Sequence, residues 1–136
     1  MARTVLITGA ASGICQATAD ACRAAGDRVI GVDMRDADIV ADLTTAEGRA
    51  TLVREAERLA PDGLDAVLAG AGLSRADMPR ETVGVNYFGA VATLEGLRPL
   101  LARSARPRAV VICSTASILQ GNDQLVEACL SGDEAA

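Results

Sequence analysis

The chain has 136 residues, half of them apolar, with a net charge of −5 and a pI near 4.6. That length and apolar share suit one domain with a real core. The acidic balance, with one Tyr, one Phe and no Trp, argues against nucleic acid or an anionic membrane surface as partner. There is no His, and all 13 basic residues are Arg, so imidazole bases, His metal ligands and Lys Schiff bases are excluded from this polypeptide.

The N-terminus runs from Arg3 straight into a strand-like stretch too short for the apolar part of a signal peptide, and no run reaches the length of a membrane span. A cytoplasmic location is the resulting expectation. In Val5 to Cys15 an apolar run breaks into small residues and resumes with helical spacing: strand, glycine turn, helix. Gly9 and Gly13 give the turn its backbone freedom and let a pyrophosphate approach the main chain. The N–H groups and positive dipole end of the following helix point at such an anion.

In that helix Ile14, Ala17, Thr18, Ala21, Cys22 and Ala25 recur at helical spacing and predict the face turned to a sheet, until Gly26 stops it. Cys15 and Cys22 lie roughly 10 Å apart along the helix, beyond disulfide reach, and read as small apolar side chains. Arg28 to Val32 forms a second strand ending in Asp33. Asp33 lies about twenty residues beyond Gly13, where dinucleotide folds place an acid on the adenosine ribose. A carboxylate there accepts from both ribose hydroxyls and repels a 2′-phosphate, favouring NAD over NADP, although Arg35 is a basic side chain of the kind that accepts such a phosphate.

Ile39 to Ala41 is a short third strand before Asp42 and Leu43. Its link from Asp33 is about half the usual parallel crossover, so its direction stays open. Thr44 and Glu47 make a capping box. In the helix behind them, Leu52, Val53, Ala56, Leu59 and Ala60 face the core, with Arg49, Arg54, Glu55 and Arg58 turned outward, and Pro61 and Gly63 end it. Leu64 to Ala69 is a fourth strand entering the small-residue turn Gly70-Ala71-Gly72. A long helix from about Thr82 to Ala102 contains Asn86, Tyr87 and Phe88 and is expected to bend near Pro99. Ala109 to Cys113 is a fifth strand leading to Ser114-Thr115-Ala116-Ser117.

The ordered set of Thr8 to Gly13, Asp33, Asp42-Leu43, Ala71-Gly72, Val85-Asn86 and Ile112 to Ser114 resembles the short-chain dehydrogenase/reductase family along essentially the whole chain. The short Asp33 to Asp42 segment and the Asn86-Tyr87-Phe88-Gly89 string are similar to its bacterial 3α-hydroxysteroid dehydrogenase/carbonyl reductase branch. The resemblance implies an α/β fold, a Rossmann-type doubly wound parallel sheet truncated after the fifth strand. Residues 1–121 would be the NAD-binding domain and 122–136 a polar tail that starts the family's specificity region.

It also implies roles. Thr8, Gly9, Ser12, Gly13 and Ile14 would hold the pyrophosphate, Asp33 the ribose, Asp42 and Leu43 the adenine, and Ala69, Gly70, Ala71 and Gly72 the backbone under the cofactor. Asn86 would anchor a water chain and Ser114 would hydrogen-bond a substrate carbonyl. Hydride would pass between NAD and a secondary alcohol or ketone, in a homo-oligomer.

Two departures stand out. The last glycine of the turn motif is replaced by Cys15, whose thiol is expected to push the helix outward and weaken cofactor binding, so that Cys15→Gly would tighten it. The family's Tyr and Lys, which follow the serine, are not in these residues, and Tyr87 precedes it on a helix. The chain alone is expected to be catalytically silent, the alternatives being a non-catalytic NAD-binding module or an inactive truncated product.

Overall fold

The computed structural model describes all 136 residues. Five parallel strands, β1 (Thr4–Thr8), β2 (Arg28–Asp33), β3 (Ile39–Val40), β4 (Ala66–Ala69) and β5 (Arg108–Val111), form one sheet in the order β3-β2-β1-β4-β5. The third strand is therefore parallel to its neighbour, with Val32 opposite Ile39 and Asp33 opposite Val40. So short a crossover closes because Asp36 takes a left-handed φ of 51° and the Asp38 carboxylate accepts the Gly31 N–H at 2.7 Å, folding the loop back onto β2.

Period-two alternation along β1 divides the core. Leu6 faces a layer built with α2 (Ala46–Leu59) and α4 (Ala90–Leu101), where Leu52, Ala56, Leu97 and Leu100 pack with Ile30, Val32 and Val67. Val5 and Ile7 face the other way, onto α1 (Gly13–Ala24), in a smaller cluster with Cys15, Ala19 and Leu68. Full burial of side chains such as Leu6, Ile7 and Leu97 contributes about 1.5–3 kcal/mol each before entropy is counted.

The face of α1 differs from the predicted one. Cys15 and Ala19 are buried, with Thr18 and Cys22 half-buried, while Ala17, Ala21 and Ala25 are exposed and Ile14 is 69% exposed. Alanine occurs all round this helix, so spacing alone left two faces nearly equivalent, and the thiol fills the interior where isoleucine would not.

The cap of α2 also sits one residue later than expected. Thr45 accepts from the Gly48 N–H, while Thr44 donates its hydroxyl to Asp42. Arg49 turns inward rather than outward. Its guanidinium donates to the carbonyls of Leu43 and Thr44 and pairs with Glu134.

The long helix begins earlier and is not uniform. A short α3 (Pro79–Val83) passes through one π-helical stretch, Gly84–Gly89, before α4. The tail is not simply polar, since residues 123–131 form α5 (Asp123–Ser131), capped by the Asn122 side chain and stopped at Gly132 with φ 75°. Leu125, Ala128 and Cys129 of α5 face Val83 and Phe88 across a hollow of about 320 Å³. No helix is long and apolar enough to cross a membrane.

Candidate functional site

Parallel strands end at one edge of the sheet, and there the turns after β1, β2 and β4 enclose a cleft of about 300 Å³. It gathers Gly9, Ser12, Ile14, Asp33, Asp42, Leu43, Gly70, Ala71 and Gly72 from distant parts of the sequence. Two small-residue turns meet there. Gly9, at φ 76°, donates its N–H to Val32 at 2.8 Å, and a Cβ on it would come within 3.0 Å of the Ala71 backbone. Gly13, at φ 58°, is open instead, with nothing within 4 Å of where a Cβ would stand at the start of α1. A chain turning this way leaves room against bare main chain beside a helix N-terminus, the arrangement that suits a phosphate.

Asp33 sits at the end of β2 in the wall of this cleft. Its carboxylate accepts the Ala11 N–H at 2.9 Å and the Met34 N–H at 2.7 Å, which fixes its orientation against the glycine turn. Each oxygen keeps a further lone pair. Asp42 is held likewise, accepting the Thr44 N–H at 3.0 Å and the Thr44 hydroxyl at 2.6 Å. Next to it Leu43 is buried, and its carbonyl takes the Arg49 guanidinium.

Five expected site residues, Thr8, Gly13, Ala69, Asn86 and Ser114, do not line the cleft. Thr8 is buried at the end of β1. Its hydroxyl accepts the N–H groups of Gly70 and Ala71, each at 3.0 Å. Ala69 is buried in β4. Asn86 uses both ends of its amide on Leu73, accepting the N–H and donating to the carbonyl at 2.8 Å each, so it clamps the turn after β4. Ser114 is exposed, and its hydroxyl accepts the Ala116 N–H as the cap of the 3₁₀ turn Thr115–Ile118. Tyr87 lies outside the cleft, edge-on to Phe88 with ring centroids 5.1 Å apart.

Val32, Met34, Ala41, Thr44, Leu73, Val85 and Ile112 also line the cleft, and the sequence reading gave none of them a role in binding. They flank residues that were given one, so nearness to a strand's C-terminal end was the available signal. Cys15 also lines the cleft and is only 4% exposed. Burial, with the Asp33 carboxylate as a lesser cause, pushes its thiol above the usual value, which keeps it neutral. The thiol occupies the space that a side chain on Gly70 would need. All four cysteines are free, with Cys113 exposed.

Residues 3–126 match the family described as short chain dehydrogenase. A curated relative, the 3-alpha-hydroxysteroid dehydrogenase/carbonyl reductase of Comamonas testosteroni, is 38% identical over 134 residues, or 96% of this chain and 52% of the relative. The crystal structure of a 3-alpha-hydroxysteroid dehydrogenase from Pseudomonas sp. B-0831, complexed with NADH, superposes with a TM-score of 0.89 at 42% identity. That match covers 97% of this chain and 53% of the other. A short-chain dehydrogenase from Streptomyces avermitilis, 23% identical with a TM-score of 0.76 over 88% of this chain and 52% of its own, shares the fold. The chain thus spans about half the length of the relatives it matches.

Proposed function

The chain belongs to the short-chain dehydrogenase family, and from that premise we propose that its residues bind NAD(H) as the cofactor part of an oxidoreductase acting on secondary alcohols and ketones. The observation that carries this reading is the oriented Asp33 carboxylate, set in one cleft with the open glycine turn. The open space at Gly13, at the start of α1, supports a phosphate there. The N–H groups at the start of α1 would hold the pyrophosphate, Asp33 the adenosine ribose, and Asp42 and Leu43 the adenine. Ala69 to Gly72 would carry the backbone beneath, and residues 1–121 would make up this cofactor-binding unit.

Bound nicotinamide supplies the hydride. This chain's own residues bind and orient it, and Asn86 keeps the turn beneath it in place by clamping Leu73. The named relatives suggest a steroid or other carbonyl compound as substrate, whose oxygen would accept the Ser114 O–H, since the bond from the Ala116 N–H occupies only a lone pair of that hydroxyl. Proton transfer needs a group whose pKa is brought toward neutrality. No Lys exists in the 136 residues to do this for a Tyr, and Tyr87 lies outside the cleft. That observation favours a second reading, in which these residues bind NAD without turnover.

Titration with NADH and NADPH, followed by nicotinamide fluorescence, tests the cofactor reading. NADH is expected to bind more tightly, because Asp33 repels a 2′-phosphate, and equal or tighter NADPH binding overturns it. Steady-state assays with secondary alcohols and ketones are expected to show no turnover by this chain. Turnover that Tyr87→Phe abolishes would make Tyr87 the acid and overturn the silent reading.

A further inference from the structure

Position 15 breaks the glycine pattern of the first turn, and the structure shows what accommodates the change. The Cys15 sulfur lies against Gly70, so close that a Cβ on Gly70 would collide with it. The same Cβ would stand 3.3 Å from the Thr8 carbonyl oxygen and 3.5 Å from Cγ1 of Ile112. The space is therefore bounded on three sides by β1, the segment after β5, and α1. It holds one small side chain, supplied from α1 and not from the turn after β4.

We propose that Cys15 and Gly70 share one side-chain volume at the floor of the cleft, and that this volume sets the distance between the N-terminus of α1 and the turn after β4. On the cofactor reading above, on which this inference rests, those two segments flank the dinucleotide, so the pair is a positioning pair for its phosphates. The pair acts by volume, since a buried neutral thiol offers neither charge nor a reactive thiolate. Two further restraints hold the other side of the contact. Thr8 fixes the N–H groups of Gly70 and Ala71, so the turn cannot retreat from a larger side chain without losing those bonds. Gly9 packs on Ala71 and blocks sideways movement. Substitution at either position must then be answered at the other.

The test is a cycle on the full 136-residue chain: Cys15→Gly, Gly70→Cys, and both together, each read by thermal midpoint and by NADH titration. Gly70→Cys alone overpacks the floor, lowering the midpoint by at least about 4 °C and weakening NADH by about tenfold or more. Cys15→Gly alone leaves a void and lowers the midpoint, with a smaller loss of NADH affinity. The double variant restores both readings to near those of the native chain.

Native-like behaviour of Gly70→Cys in the presence of Cys15, or additive losses in the double variant, overturns the shared volume. Recovery of the midpoint without recovery of NADH affinity shows packing alone and overturns the positioning role. A native chain that binds no NADH overturns the cofactor reading and the positioning role with it, while the midpoints still decide the shared volume.

Discussion

The hydroxyl of Thr8 accepts the N–H of Gly70 at 3.0 Å, and that of Ala71 at the same distance, so the end of β1 is tied directly to the turn after β4. The acceptor itself is buried, with Thr8 1% exposed, while Gly70 and Ala71 are half-buried in the cleft wall. Thr8→Val keeps the shape and removes the acceptor. Two stranded donors are expected to destabilise the chain by about 1–3 kcal/mol and to loosen the turn on which NADH would rest. Thr8→Ser retains the oxygen and is expected to behave nearly as the native chain. Urea unfolding of the three proteins, with NADH titration beside it, checks this; a Val variant as stable as native would mean water reaches those amides.

Asp33 governs cofactor choice in the reading above, and it also accepts the Ala11 N–H. Asp33→Ser is expected to lower the preference for NADH over NADPH by about tenfold or more, since repulsion of the 2′-phosphate disappears while a hydroxyl still faces the ribose. Paired titrations with the two cofactors measure the ratio directly. An unchanged ratio would assign the discrimination to another group and leave Asp33 as a support for the turn.

Much of this was legible before the structure. Strand ends are marked in the sequence by apolar runs that stop at Gly9, Asp33 and Gly70, and a parallel sheet brings those ends together, so most of the cleft followed from order alone. What stayed hidden depends on three-dimensional complementarity. Nothing in the spacing of Cys15 announces that Gly70 lies against it, 55 positions on. Thr8 is a related case: nothing in its place before a glycine turn announces that its hydroxyl is bonded to the turn after β4. Arg49 is one more case, since an arginine on a charged helix face reads as solvated, and only the carbonyls of Leu43 and Thr44 explain its turning inward.

Asp65 joins three segments at the N-terminal ends of the strands, opposite the cleft. Its carboxylate accepts the Ser104 hydroxyl at 2.6 Å and the Thr4 N–H at 2.8 Å, and these bonds, the Ser104 one foremost, hold its pKa below the ordinary carboxylate value. A carboxylate depressed in the folded state adds stability that is present above its unfolded pKa, about 3.9, and is lost as pH falls through the folded value. Asp65→Ala is therefore expected to be less stable than native near neutrality, with the gap narrowing as pH drops below about 4. Thermal midpoints measured from pH 7 downward test this, and a gap independent of pH would assign the loss to packing.

The fifth strand lies at the edge of the sheet, pairing with β4 on one side only. It is apolar and uncharged past Arg108, and its side chains stand open: Val110 is 54% exposed, with Val111 and Ile112 also in solvent. On the α1 side, Val110 and Ile112 continue into a groove floored by Val5, Ile7 and Leu68, so an unpaired backbone edge and a bare apolar face coincide. Such an edge carries N–H and C=O groups ready to pair with another strand, and no Lys or inward charge protects it. The chain is therefore expected to self-associate. Val110→Lys, which places a charge on the exposed face while leaving the ladder to β4 intact, is expected to shift sedimentation toward the monomer at little cost to the thermal midpoint. Velocity sedimentation across a concentration series, native against variant, decides the matter. A native chain that stays monomeric throughout, or a variant that associates as strongly, would mean that this strand is not the contact.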